Sequence, residues 1–167
     1  MAVVPGRRIS LGFMRVLHGL AGRGAGIALR GFPQIHDIPV LGVNGPERDQ
    51  LRHRLESALE LLERVEPSRL DRLRRSVSGL LVTSSRRLHG HYGRITGTCT
   101  LDRGLLLSLP PEEIAEHLVY CATEGALWRA GLGRSADEEE RLHRAAERAA
   151  RLFLDRLAHA RGGEAVA

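Results

Sequence analysis

Apolar residues recur at helical spacing in three long stretches of the chain. In the stretch that starts at Pro46, one face carries Leu51, Leu55, Ala58, Leu59, Leu62 and Val65. A second stretch starts after Pro110-Pro111 and stops at Gly131, and a third starts at Ser135. A hydrophobic period of about 3.6 residues is typical of amphipathic helices. We therefore expect helices near 46–65, 111–130 and 136–160, with a short helix after Pro67.

Between the first two long helices, the pattern changes to β-branched residues separated by glycines. Gly79 to Thr83 predicts a first strand, residues 88–101 a bent strand or hairpin, and Leu105 to Ser108 another short strand. Residues 32–45, which contain Pro33 and Pro39, predict an extended linker. The chain is therefore predicted to be α+β. Its small, mainly antiparallel sheet, from Gly79 to Ser108, packs on the helices at 111–130 and 136–160.

The two ends of the chain differ in composition from its middle. Residues 1–36 carry five Arg and no acidic residue and are rich in glycine. They predict a basic, partly helical N-terminal arm, followed by a main domain over 37–160 and a disordered tail over 161–167. Two interpretations of the arm stay open: a segment that contacts a membrane surface or a protein partner, or a helix packed on the domain or frayed.

Charge and cysteine content narrow the possible partners. All 25 basic residues are Arg, and the net charge is +5. The basic cluster around Arg69–Arg75 contains no aromatic residue that could stack on bases, so no nucleic-acid partner is expected. Cys99 and Cys121 are too few for a disulfide framework. No apolar run reaches transmembrane length, and a cytoplasmic location is predicted.

The helix predicted at 111–130 carries unusual polar side chains for an apolar segment. Residues three or four positions apart share a helix face, so one stripe contains His117, Cys121, Glu124 and Trp128, with Tyr120 beside it. Burying such groups without partners costs free energy. We expect them to satisfy one another or to line a pocket.

The sequence of this helix resembles a family of small bacterial zincin-like proteins. Leu118-Val119, Ala122-Thr123 and Leu127 match a segment that reads Leu-Val-His-Glu-Ala-Thr-His-Ala-x-Leu in that family, the zinc-binding HExxH helix. The resemblance covers roughly Val65 to Leu157. It also includes these segments and residues: Cys99-Thr100-Leu101-Asp102, Leu109-Pro110-Pro111, Arg141 and Phe153-x-x-Arg156-Leu157. It implies a minimal zincin-like domain with an active-site helix and a C-terminal helix.

The residues of the zinc motif itself are replaced. Tyr120 stands at the first His position, Cys121 at the catalytic Glu position and Glu124 at the second His position. His143 falls at the position of the family's downstream glutamate ligand. This set cannot perform the family's zinc-peptidase chemistry, because the base that activates a zinc-bound water is gone.

A repurposed, metal-independent enzyme that acts on a small molecule or peptide is the first functional prediction. Cys121 could be a nucleophile, with His143 or His117 as its base and Glu124 as the orienting group. Alternatively, Glu124 and Tyr120 could perform acid–base catalysis. The resemblance places a strand beside the cleft. The predicted pocket residues are His89, His91, Tyr92, His117 and Trp128.

Two other interpretations stay open. The domain could be a non-catalytic pseudo-peptidase that binds a protein partner or acts as a scaffold, with Cys121 as a small buried hydrophobe. It could instead hold a metal at an altered site made of Tyr120, Glu124 and His143, or of Cys121, Glu124 and His143. His89 and His91 are a further possible metal pair on one side of a strand. No cofactor is predicted.

Overall fold

The structure is a computed structural model that describes residues 31–84 and 91–164, with side chains as far as residue 161. Most of the predicted N-terminal arm, His89 and the last three residues lie outside the described residues. The first long helix, α1, spans Arg48–Val65, and α2 spans Pro67–Ser76. Pro67 starts α2, a position where its missing N–H costs nothing. The prediction of a helix that Pro67 interrupts is confirmed.

Three more helices follow in the second half of the described chain. They are α3 (Arg103–Ser108), α4 (Pro111–Arg129) and α5 (Ala136–Glu164). Helix α5 extends into the segment that was predicted to be a disordered tail. Arg161, near its end, pairs with Glu112 in the first turn of α4, which ties the C-terminal turns to the domain.

The sheet of the described chain has five strands in the order β1-β2-β3-β5-β4. The strands are β1 (Gln34–Ile35), β2 (Ile38–Leu41), β3 (Gly79–Thr83), β4 (His91–Gly93) and β5 (Thr98–Asp102). The β1–β2 and β4–β5 pairs are antiparallel, whereas β2–β3 and β3–β5 are parallel. The α+β class is confirmed, with a mixed sheet where a mainly antiparallel one was expected. Parallel pairs need a crossover connection, and α1 and α2 provide it between β2 and β3.

Two stretches adopt a different structure from the predicted one. The predicted linker at 32–45 contains β1 and β2, joined by a tight turn at His36 and Asp37 with φ of 49° and 64°, a conformation suited to two-residue hairpin turns. The segment from Leu105 to Ser108 is part of α3 and not a strand. The Asp102 side chain accepts a hydrogen bond from the Leu105 amide at 3.0 Å, and this N-cap starts a helix there.

Helix α4 lies at the centre of the molecule. It packs against α1, α2 and α5 and against the sheet at β4 and β5. Its buried residues include Ile114, Leu118 and Val119, while Phe153 of α5 is fully buried. No helix in the described ranges is long and apolar enough to cross a membrane. The central position of α4 brings its polar side chains close to three neighbouring elements.

Candidate functional site

A cleft open to solvent lies between α4 and α5 and is bordered by β4. Its volume is about 570 Å³. The residues that line it are His91, Glu113, Glu116, His117, Tyr120, Glu124, His143, Glu147, Ala150 and Arg151. Four carboxylates and one guanidinium therefore line the same space, which gives the cleft a net negative charge.

A chain of hydrogen-bonding groups crosses the cleft from α4 to α5. The Tyr120 hydroxyl is hydrogen-bonded to Nδ1 of His143. On the other side of the imidazole, Nε2 of His143 lies 3.2 Å from Oε1 of Glu147. In the tautomer that carries its proton on Nε2, beside this carboxylate, Nδ1 accepts the hydrogen bond of the Tyr120 hydroxyl. A carboxylate, an imidazole and a hydroxyl therefore lie side by side in this order. In enzymes, such an arrangement lets an oriented base activate a nucleophile or a proton donor.

Tyr120 is half-buried and keeps its proton. Burial, and next the nearby carboxylate of Glu124, raise the pKa of its phenol well above the ordinary value. The stacked ring of His117, 6.2 Å away between centroids, flanks it on the same helix. Tyr120 is therefore a neutral hydrogen-bond donor at physiological pH, with a base already in contact.

Glu124 is a buried carboxylate at the inner end of the cleft, with 7% of its surface exposed. Its Oε1 lies 3.7 Å from Nη2 of Arg94, which also pairs with Glu139 on α5 at 2.7 Å. The guanidinium of Arg94 stacks over the Trp128 ring at 4.8 Å. Arg94 is thus shared between Glu124 and Glu139, and Glu124 also lines the cleft.

The structure brings most of the predicted site residues together and separates three of them. Tyr120, Glu124, His143, His91 and His117 all line the cleft. Cys121 does not, although it was predicted to be catalytic: it is 0% exposed. Successive helix residues are rotated by about 100°, so Cys121 points towards β5 while its neighbour Tyr120 points into the cleft.

Tyr92 and Trp128 were also predicted to line the pocket and do not. Tyr92 is 4% exposed and belongs to the core. Neighbouring residues of a strand face opposite sides, so once His91 borders the cleft, Tyr92 points inward. Trp128 packs on the core, and its ring stacks under the guanidinium of Arg94. It therefore positions the cation that pairs with Glu124 and does not line the cleft.

The possible metal ligands are also distributed differently from the prediction. The set of Cys121, Glu124 and His143 is not formed, because Cys121 faces away from the other two. Within the described ranges, one group of three His, Cys, Asp or Glu residues has all its ligand atoms within 4.8 Å of one another. That group is Cys99, His117 and Cys121, and Cys99 comes from β5.

Several cleft residues were missed by sequence reasoning. Glu147 follows His143 by four positions on the predicted last helix, a spacing that predicts a contact and could have identified it. Glu116 and Glu113 precede Tyr120 by about one and two turns of the same helix, a spacing that places them on its face. Arg94 carries no local signal, since its contacts with Glu124 and Glu139 depend on tertiary structure.

Positions that match the zinc ligands of the zincin-like family lie around one cleft. Tyr120 and Glu124 come from α4, and His143 reaches them from α5. His91 of the edge strand β4 completes one side, as the resemblance implies. Comparison of the chain with protein-family models, with curated proteins and with solved structures finds no match. The zincin-like relationship stays a prediction.

Proposed function

We propose that this protein is an acid–base enzyme that acts on a small molecule or peptide bound in the cleft between α4 and α5. The observation that carries the proposal is the hydrogen bond between Tyr120 and His143, with the carboxylate of Glu147 3.2 Å from the other nitrogen of the imidazole. Such an arrangement positions a proton donor and a base before the substrate arrives, which lowers the barrier for proton transfer. The proton path uses no metal, and neither histidine of the HExxH motif is present.

The proton path follows from the two contacts of His143, a hydrogen bond with Tyr120 and a 3.2 Å approach to Glu147. When a substrate group gives a proton to the Tyr120 oxygen, the phenol passes its own proton to Nδ1 of His143. Glu147 then faces an imidazolium and stabilises its positive charge. Reversing these transfers protonates a leaving group or an intermediate through the same phenol. The raised pKa of Tyr120 means that the phenolate does not accumulate, and the two transfers occur together.

Charge in the cleft supports a cationic substrate. Glu113, Glu116, Glu124 and Glu147 face it together with the single guanidinium of Arg151. The field of four carboxylates attracts positive ligands, and Glu124 at the inner end is placed to bind an ammonium or guanidinium. An amine-bearing metabolite or the amino terminus of a peptide fits this distribution of charge.

The catalytic chemistry is assigned to Tyr120 and not to Cys121. The Cys121 thiol is fully buried, and burial raises its pKa well above the ordinary value. A nucleophilic cysteine needs a thiolate that the substrate can reach, and Cys121 provides neither. The Cys-based mechanism is therefore set aside in favour of acid–base catalysis by Tyr120 and His143, with Glu147 beside the imidazole.

A divergent zincin-like origin is part of the proposal. It is supported by the convergence of Tyr120, Glu124 and His143 on one cleft and by the edge strand beside it. In this interpretation, the cleft that would hold zinc and substrate keeps its shape, while its ligands have been replaced by proton-transferring groups.

A non-catalytic binding protein is the second candidate. His143 and Glu147 have 57% and 53% of their side-chain surface exposed, and exposed ion pairs hold their geometry weakly. The carboxylates that line the cleft would also suit binding of a cationic segment without turnover. The following experiment separates the two functions.

Turnover of chromogenic amides and esters with a free amino group is the test, with the N-acetylated compounds beside them. We expect the free amines to be the better substrates. Tyr120→Phe should lower kcat/KM by about 100-fold or more, since a positioned acid–base group contributes on that scale. Tyr92→Phe changes the other tyrosine of the chain, which lies outside the cleft, and should leave turnover unchanged. Binding of the amines without turnover, little affected by Tyr120→Phe, would support the second candidate.

A further inference from the structure

A second polar group lies on the sheet-facing side of α4, outside the catalytic proposal. It consists of Cys99 of β5 and of His117 and Cys121 of α4. Both cysteines are free and 0% exposed. Their sulfur atoms and one imidazole nitrogen all lie within 4.8 Å of one another, and Sγ of Cys121 is 3.8 Å from Nε2 of His117.

We propose that Cys99, His117 and Cys121 bind one Zn²⁺ ion. In a tetrahedral zinc site with Zn–S near 2.3 Å and Zn–N near 2.0–2.1 Å, ligand atoms are separated by about 3.6–3.8 Å. The Cys121–His117 separation is already close to this range, and the remaining separations need to contract by no more than about 1.2 Å. Two sulfur ligands and one imidazole are a donor set that suits zinc.

The backbone places the three ligands without rearrangement. His117 and Cys121 are four positions apart on α4, so both side chains project from one face of the helix. Cys99 lies on β5, which is paired on both sides, with Leu80 of β3 and Tyr92 of β4. A metal here would connect the central helix to the central part of the sheet, where neither element can move freely.

A zinc ion held by these three residues would have a fourth coordination position to fill. His117 is half-buried and borders two spaces: the catalytic cleft and a second cavity of about 310 Å³ that Leu101, Leu106 and Ile114 help to line. Water from either space can occupy that position. Zinc sites with three protein ligands ordinarily complete their coordination in this way.

Metal binding changes the protonation of both thiols. Without a metal, burial keeps Cys121 as a neutral thiol. A coordinated zinc ion replaces the thiol proton, so each cysteine loses one proton to solvent as the ion binds, and His117 binds through its unprotonated Nε2. No oxidant or reductant takes part in this step.

Cobalt substitution is the test. The full chain is unfolded in urea with reductant and chelator and then refolded with one equivalent of Co²⁺ or Zn²⁺. We expect thiolate-to-cobalt charge-transfer bands in the near ultraviolet, tetrahedral d–d bands in the visible, and their loss when Zn²⁺ is added. Elemental analysis should give about one metal per chain, and the zinc-loaded protein should melt at a higher temperature than the protein kept in chelator.

Matched variants locate the metal. Cys99→Ser, Cys121→Ser and His117→Gln should each weaken binding at least about tenfold, because even outer-shell groups of metal sites have effects of that size. His143→Gln changes a histidine of the adjacent cleft and should leave the cobalt spectrum unchanged. If a serine variant does not refold by circular dichroism, His117→Gln still answers the question, since that side chain is only half-buried.

Two results would overturn the proposal. One is a reduced, refolded protein that shows no charge-transfer bands with Co²⁺. If air oxidation then joins Cys99 to Cys121 in a disulfide seen by mass spectrometry, the two cysteines are a redox pair and not zinc ligands. The other is a cobalt spectrum that His143→Gln abolishes and Cys99→Ser preserves. Neither result depends on turnover, so the zinc site and the acid–base function stand or fall separately.

Discussion

At the scale of single residues, adjacent positions on α4 have opposite chemical environments. Tyr120 opens onto solvent and a hydrogen-bonded imidazole, whereas Cys121 is enclosed by the sheet. Burial raises the pKa of the Cys121 thiol, and the same burial blocks access of reagents. The reactivity of a side chain on α4 therefore depends on the direction in which the side chain points as well as on its residue type.

The thiols of the native protein should be inert to iodoacetamide at neutral pH. Both cysteines are 0% exposed, so the reagent cannot reach either sulfur atom, whether the thiol is protonated or bound to zinc. Mass spectrometry should find unmodified protein after incubation under native conditions and two adducts after denaturation. Alkylation of the native protein at the rate of a free thiol would show that Cys121 is exposed and activated after all.

Gly125 is the single glycine of α4, and its replacement should destabilise the protein. A Cβ at this position would lie 2.7 Å from Cε2 of Tyr92 and 2.9 Å from the backbone oxygen of Ser76. Overpacking of this kind costs about 1–3 kcal/mol and exceeds the gain of roughly 1 kcal/mol that alanine brings to a helix.

Gly125→Ala should therefore lower the free energy of unfolding in urea denaturation. Gly31→Ala is the control, since a Cβ there meets nothing within 4 Å, and its effect should stay below about 0.5 kcal/mol. A stabilised Gly125→Ala protein would mean that the Tyr92 ring can move away.

At the scale of elements, the residues at helix ends determine whether a short apolar segment forms a strand or a helix. Leu105, Leu106 and Leu107 are compatible with a buried strand or a helix. Asp102 accepts the Leu105 amide, and the next two prolines end α3 before α4 starts. The caps therefore set the boundary between β5 and α3.

Asp102→Ala should destabilise the protein by about 1 kcal/mol, because an N-cap side chain is lost. Asp102→Asn keeps an acceptor oxygen and should change stability by much less. The measurement is thermal unfolding by circular dichroism. Equal losses for both variants would mean that the charge of Asp102, and not its cap, stabilises this junction.

The start of α4 predicts a pH dependence. A hydrogen bond from the Glu112 backbone amide and then the Arg161 side chain lower the pKa of the Glu112 carboxyl below its ordinary value of 4.5. A lowered pKa in the folded state adds stability above pH 4.5 that is lost as the pH falls through the folded pKa.

Glu112→Gln should therefore cost about 0.3–1 kcal/mol at neutral pH, and the difference from the parent protein should shrink towards pH 3. Urea denaturation at several pH values measures it. A cost that is the same at all pH values would assign the effect to packing and not to the ionised carboxylate.

At the scale of the whole molecule, α5 packs on α4 and also contacts the junction between α1 and α2. Glu66, between α1 and α2, pairs with Arg69 at 3.0 Å and also with Arg156 of α5. Phe153 of the same helix belongs to the hydrophobic core and is 0% exposed. Since α5 also carries His143 and Glu147, its docking maintains the cleft between α4 and α5.

Phe153→Ala should lower the free energy of unfolding by about 3–5 kcal/mol, because it leaves a cavity in the core. Leu152→Ala changes the adjacent residue, which is 44% exposed, and should cost less than about 1 kcal/mol. Urea denaturation compares the two. Similar losses would mean that α5 packs in a different register.

Local pattern was sufficient for most of the helices and for the α+β class. The period of the apolar residues locates α1, α4 and α5, and Pro67, Pro111 and Gly131 mark boundaries, because backbone restrictions act within a few residues. The same periodicity placed Tyr120 and Glu124 on neighbouring faces of one helix. The convergence of His143 on them was expected only through the resemblance.

Sheet topology and the direction of side chains around α4 required the tertiary structure. Parallel pairing of β2 with β3 and of β3 with β5 joins distant segments, and no local residue pattern encodes it. Helix α4 packs against helices on several sides and against the sheet, so it has apolar residues around most of its circumference. Periodicity alone therefore could not show that Tyr120 faces the cleft and Cys121 faces Cys99, because that choice depends on which neighbours pack on each side.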